Sequence, residues 1–159
     1  MTTGTFAAWV RAVAEQLASD RTRVIEFARA APPESWARPS SIDSWTNKDL
    51  LAHLAGGNDQ MLQNILRAVT SRTPLDSRAL DPDTDAENAA RVAERQSWPI
   101  DALIAELERD GNEMQSLLSQ LVDDDEHLHP GGSKWTLGQL FEVVRHERHD
   151  NEHLAQMQR

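Results

Sequence analysis

Seven prolines, at positions 32, 33, 39, 74, 82, 99 and 130, cut the chain into stretches that helices fill best. Proline disrupts a helix interior but is tolerated in its first turn, so each stretch must start or stop near one. Between the prolines apolar residues recur at helical spacing. β-branched residues are sparse and never alternate over the length of a strand, so no strands are expected.

The first predicted helix covers about residues 5–31, with Phe6, Val10, Val13, Leu17, Val24 and Phe27 on one stripe. Asp20 interrupts that stripe; it reads as a solvated edge residue, with a polar site as the less favoured option. The second covers about 47–71, with Leu51, Leu54, Met61, Leu62, Ile65 and Val69 facing inward. The third runs from Pro99 to Val122 on Ile100, Leu103, Leu107, Met114, Leu118 and Leu121. The fourth spans about 137–158 on Leu137, Leu140, Phe141, Val144 and Leu154. Residues 83–97 read as a short, polar surface helix.

Two helix starts are alike, Trp45-Thr46 before Asp49 and Trp135-Thr136 before Gln139. In each, threonine is the N-cap, the residue three on completes a capping box, and tryptophan is placed to staple onto Leu50 or Leu140. Moderate linkers flank a long one at about 72–98, which can cross over between parallel helices. The expected fold is all-α, one domain over 1–159. Its architecture is an up-down-down-up four-helix bundle with one long crossover between helices 2 and 3.

The chain contains no cysteine, which excludes disulfides and a protein thiol nucleophile. Acidic residues outnumber basic ones 26 to 16, a formal charge of −10. Nucleic acid and anionic membrane surfaces are therefore poor partners. No apolar run is long enough to span a bilayer. Met1-Thr2-Thr3-Gly4-Thr5 lacks the basic and apolar regions of a signal peptide, so a soluble cytoplasmic protein is expected.

Histidine carries the chemistry. His149 and His153 are four apart, hence on one helix face, a spacing at which two imidazoles can chelate an ion. Among charged neighbours the pair also reads as an exposed polar face. His53 stands in the apolar run Leu50-Leu51-Ala52-His53-Leu54-Ala55. It lies about 10 Å along helix 2, and His153 about 8 Å from the end of helix 4. With those helices antiparallel, the three histidines come level. Three neutral imidazoles leave at least one coordination position open, as a catalytic metal requires; Zn, Ni, Fe and Cu all suit nitrogen ligands. Gly56-Gly57, one turn on, offers either close helix packing or room for a ligand. His146, one turn before His149, reads as an exposed helix residue, or as one that supports the ligands or lines a pocket beside them. Asp49 is explained by its capping task, and His127 and His129 read as solvated loop residues.

The blocks WTNKDLLAHLAG at 45–56 and WTLGQLFEVVRHERHDNEHLAQM at 135–157 resemble the DinB-like superfamily. That superfamily includes the N-terminal domain of mycothiol-dependent maleylpyruvate isomerase. The resemblance implies the up-down-down-up bundle, a divalent metal held by His53, His149 and His153, and a homodimer. Gln156 falls within the ending His-x3-His-x2-Gln, where it could support the ligands. Glu152 and Leu154-Ala155 depart from the commoner His-His-x-Gly-Gln ending. Lys48-Asp49-Leu50-Leu51-Ala52-His53 also resembles the ClbS-like branch, associated with protection against a genotoxin. The implied function is a metal-dependent enzyme acting on a small electrophile. Thiol transfer with mycothiol, bacillithiol or glutathione, isomerisation and hydrolysis all fit, the nucleophile being water or a thiol from solution. The alternative is a non-catalytic protein that captures a metal or toxin.

Overall fold

The structure, a computed structural model, describes residues 5–42, 44–56, 60–81 and 84–158. Its α-helices are α1 (Ala8–Ala30), α2 (Asn47–Ala55), α3 (Gln60–Ser71), α4 (Asp85–Glu94), α5 (Ile100–Ser119), α6 (Leu137–Glu147) and α7 (His149–Met157). Short 3-10 turns join them. Among the described residues there is no strand, only an isolated bridge between Pro39 and Thr46. No helix among them is long and apolar enough to cross a membrane.

Two expected helices are interrupted. The second stops at Ala55, with Gly56 as its C-cap, and resumes as α3. Glycine lowers helix stability, and here it also permits close approach. A Cβ on Gly56 would stand 3.1 Å from the Ala52 carbonyl and 3.2 Å from Cβ of Arg91 on α4. Close packing therefore accounts for Gly56, while Gly57 lies outside the described residues. The fourth expected helix breaks at Arg148, which takes left-handed backbone angles of φ 46° and ψ 55°.

The described residues form two compact units. The first draws on 5–18, 60–81 and 112–147. Its core holds Val10, Val13, Leu62, Ile65, Leu66, Met114, Leu118, Leu121, Leu137 and Phe141. Trp9 stacks on Phe141 at 5.1 Å and donates its indole N–H to the Val122 carbonyl. Arg72, also left-handed at φ 56°, pairs with the buried carboxylate of Asp125 at 2.5 Å. Thr136 and Gln139 cap α6 reciprocally, as the sequence predicts. Two expectations fail here. Met61 is 40% exposed rather than inward-facing. Trp135 is 44% exposed, with the Lys134 ammonium 5.2 Å from its ring centre, so it does not act as a buried staple.

The second unit draws on 19–56, 84–111 and 148–158. Val24, Trp36, Leu50, Leu51, Leu54, Val92, Leu103, Leu107, Leu154 and Met157 form its core, and Trp45 packs against it. α2 packs on α4 and α7. The capping box at Thr46 and Asp49 forms, and Thr84 with Glu87 makes another that opens α4. α4 is not wholly superficial, since Val92 is 3% exposed. Arg95 pairs with buried Glu106 at 2.8 Å and covers the Trp98 ring, and its pKa is raised chiefly by that hydrogen bond.

The contrast among the tryptophans is testable. Trp36→Ala should cost about 3–5 kcal/mol, the range for truncating a buried aromatic. Trp135→Ala should stay within about 1 kcal/mol, the scale of an exposed cation–π contact. Urea unfolding of the two variants measures both. Equal losses would mean that the burial assignment is wrong.

Candidate functional site

His53 occupies the last turn of α2, and its ring is half-buried. The loop before the helix sets its surroundings. Ser40 donates from N–H and hydroxyl to the Trp45 carbonyl, and the Asn47 N–H donates to the Arg38 carbonyl. This loop holds the indole of Trp45 against His53, with ring centres 5.3 Å apart. Trp45 thus packs on the histidine as well as against the core, a role that its position before the N-cap did not reveal.

α7 brings the other two imidazoles. The His153 ring lies 5.0 Å from that of His53, nearly perpendicular to it. The His149 ring lies 6.1 Å from that of His153. Nδ1–H of His153 donates to the Gln156 carbonyl oxygen at 2.7 Å. That bond puts the proton on Nδ1 and leaves the Nε2 lone pair as the basic position. His53, His153 and His149 therefore form one consecutive run of rings, backed by Gln156.

The run fits a metal in part. Two imidazoles sharing one ion tetrahedrally, with bonds of about 2.0–2.1 Å, have ring centres about 5 Å apart. The His53–His153 pair has that spacing, and the His149–His153 pair is wider. Among the described residues, no group of three or more His, Cys, Asp or Glu side chains is arranged to hold a metal ion. His149 is exposed, however, and its i, i+4 relation to His153 is one from which two rings reach the same ion. All three donors are imidazole nitrogens, which suit Zn, Ni, Fe or Cu.

Charge anchors the start of α7. Asp20, expected at a solvated edge, is 3% exposed. It is buried because Arg148 meets it with two donors, Nε at 3.1 Å and Nη2 at 2.6 Å. The hydrogen bonds to Asp20 also raise the pKa of Arg148. One residue along, Arg21 donates to Asp150 at 2.5 and 3.3 Å and to the Leu107 carbonyl at 3.1 Å. Arg23 donates to the Asn151 side-chain oxygen at 2.7 Å. Sequence reasoning missed this set of contacts. Its one signal was the charged Asp20-Arg21 pair, which breaks the apolar stripe of α1.

The remaining histidines stand elsewhere. His146 is exposed on α6, in the first unit. His127 and His129 are exposed in the acidic loop segment, and His129 bonds the Ser133 carbonyl at 2.9 Å. Asp49 caps α2, accepting from the Thr46 N–H at 2.9 Å.

Among known proteins, residues 16–157 match the family model described as the DinB superfamily. The match spans both histidine blocks, in keeping with the resemblance seen in the sequence. No curated protein and no solved structure matches the chain.

The Arg21–Asp150 pair yields a stability prediction, because both side chains are nearly buried, at 12% and 7% exposure. Asp150→Ala deprives Arg21 of its carboxylate and should cost about 3–5 kcal/mol. The double variant Arg21→Met/Asp150→Leu should regain most of that loss, since apolar replacements of a buried pair are often neutral. Chemical denaturation of the three proteins tests this. A double variant as unstable as the single one would contradict it.

Proposed function

The chain belongs to the DinB superfamily, and on that premise we propose that it is a metal-dependent enzyme acting on a small electrophilic substrate. His53, His149 and His153 are its metal ligands in this reading. The observation that carries it is the run of three imidazole rings, with the His153 tautomer fixed by Gln156. The same reading takes the helices as an up-down-down-up bundle with its crossover at about 72–98, assembled as a homodimer.

When bound, a divalent ion supplies Lewis acidity and makes a nucleophile available near neutral pH. The protein's own groups prepare for it. Gln156 holds the Nδ1 side of His153, which would leave Nε2 as the nitrogen available to a metal. Trp45 packs against the His53 ring on one side. Three neutral imidazoles as the only protein ligands would leave room for substrate beside a bound ion. With no cysteine in the chain, a sulfur nucleophile must come from a low-molecular-weight thiol in solution.

Calorimetric titration of metal-free protein with Zn and Ni tests the site. One ion should bind per chain. Alanine at His53, His149 or His153 should abolish or sharply weaken binding, and alanine at His127 or His129 should leave it unchanged. Gln156→Leu should weaken binding about 10–100-fold, the usual scale for loss of a ligand's supporting hydrogen bond. Binding should weaken in acid, because protons compete for the ligating nitrogens. A His53→Ala variant that binds like the wild type would overturn the ligand set. Turnover of a panel of electrophiles, with mycothiol, bacillithiol or glutathione present, tests catalysis. Tight metal binding with no turnover would favour the capture protein over the enzyme.

A further inference from the structure

We infer that the left-handed break at Arg148, held by Asp20, is a positioning device that sets the register of His149 and His153 against His53. The inference rests on the metal-ligand reading above and adds residues that contact no ligand. An uninterrupted helix from Leu137 onward would fix the direction of both histidines from α6. The left-handed residue ends that repeat, and α7 starts afresh with Arg148 as its N-cap and no side-chain cap. Its register is then set by its own anchors. Arg148, Asp150 and Asn151 are tied to Asp20, Arg21 and Arg23, a single turn of α1. His149 stands exposed among these tethered residues, and His153 follows one turn later beside His53. No proline or glycine is present to cause the break. The carboxylate of Asp20, drawing the Arg148 side chain inward, is the visible reason for it.

The test separates backbone shape from charge. Asp20→Asn serves as background, so that no buried charge is stranded. Arg148→Gly and Arg148→Ala are compared on it. Both lose the guanidinium, but glycine enters the left-handed region freely and alanine favours continuing the helix. Two quantities are read: nuclear Overhauser contacts among the three imidazole rings in metal-free protein, and Zn affinity by calorimetry. The glycine variant should keep the ring contacts and bind Zn within about threefold of wild type. The alanine variant should lose the His53–His153 contact and bind at least tenfold more weakly, although both melt at similar temperatures. Equal behaviour of the two variants, whether both keep the geometry or both lose it, would overturn the inference. If the alanine variant does not fold, the glycine variant decides alone, through retention or loss of contacts and affinity. If even wild type binds no Zn, the metal reading fails, and the ring contacts still decide whether the break positions the histidines.

Discussion

A carboxylate cannot remain charged inside an apolar core without a partner, and Asp20 sits at 3% exposure on the inward side of α1. The Arg148 guanidinium supplies the charge and the donors that the buried carboxylate needs, and the left-handed backbone is the conformation in which it does so. Arg148 accepts an unfavourable conformation and brings two donors to Asp20. Arg21 and Arg23 tie Asp150 and Asn151 to the same turn of α1, so three side-chain anchors hold the start of α7, where His149 directly follows the break.

The first unit uses the same device independently. Arg72, one residue past α3, is left-handed and donates to both oxygens of Asp125, which is 2% exposed. Asp125 also accepts from the Val122 N–H at 3.0 Å, so one carboxylate organises the end of one helix and the loop after another. Glycine is the usual left-handed residue at a helix end because it meets no steric penalty. Arginine at that position contributes a second link: its side chain reaches a buried acid, and a conformational cost becomes a tertiary contact. In both units the hydrogen bond to aspartate raises the pKa of the arginine.

These features divide what was legible in the sequence from what was not. Helix starts are written in short-range chemistry, so Thr46 with Asp49 and Thr136 with Gln139 could be read directly. Apolar stripes located most core residues because helical periodicity is local too. The break at Arg148 carries no such mark. Arginine is a good helix former, and the signal lies 128 positions away at Asp20. Met61 and Trp135 failed for a related reason: periodicity says which residues share a face but not whether a neighbour covers it. Trp45 and Trp135 precede identical threonine caps, yet only Trp45 packs against a core. The approach of His53 to His153 was legible as a height argument along two helices. The Gln156 contact entered only through the resemblance, and the wider His149 spacing depends on side-chain torsions that no pattern records.

The candidate site is built on an element with little stability of its own. α7 has nine residues, and isolated helices shorter than about 12–15 are marginal in water. Its order comes from Leu154 and Met157 in the core and from the ion pairs at its first turn. The apolar pair fixes its depth and the charges fix its register, so neither set alone places His153 beside His53. In the reading proposed here, a ligand spanning α2 and α7 would join a helix capped at both ends to one held mainly by tertiary contacts. Ligand binding and the docking of α7 would then be thermodynamically linked, each strengthening the other. In that reading the contacts with α1 hold the register of this short helix before any ligand arrives, which would limit the ordering cost left to binding.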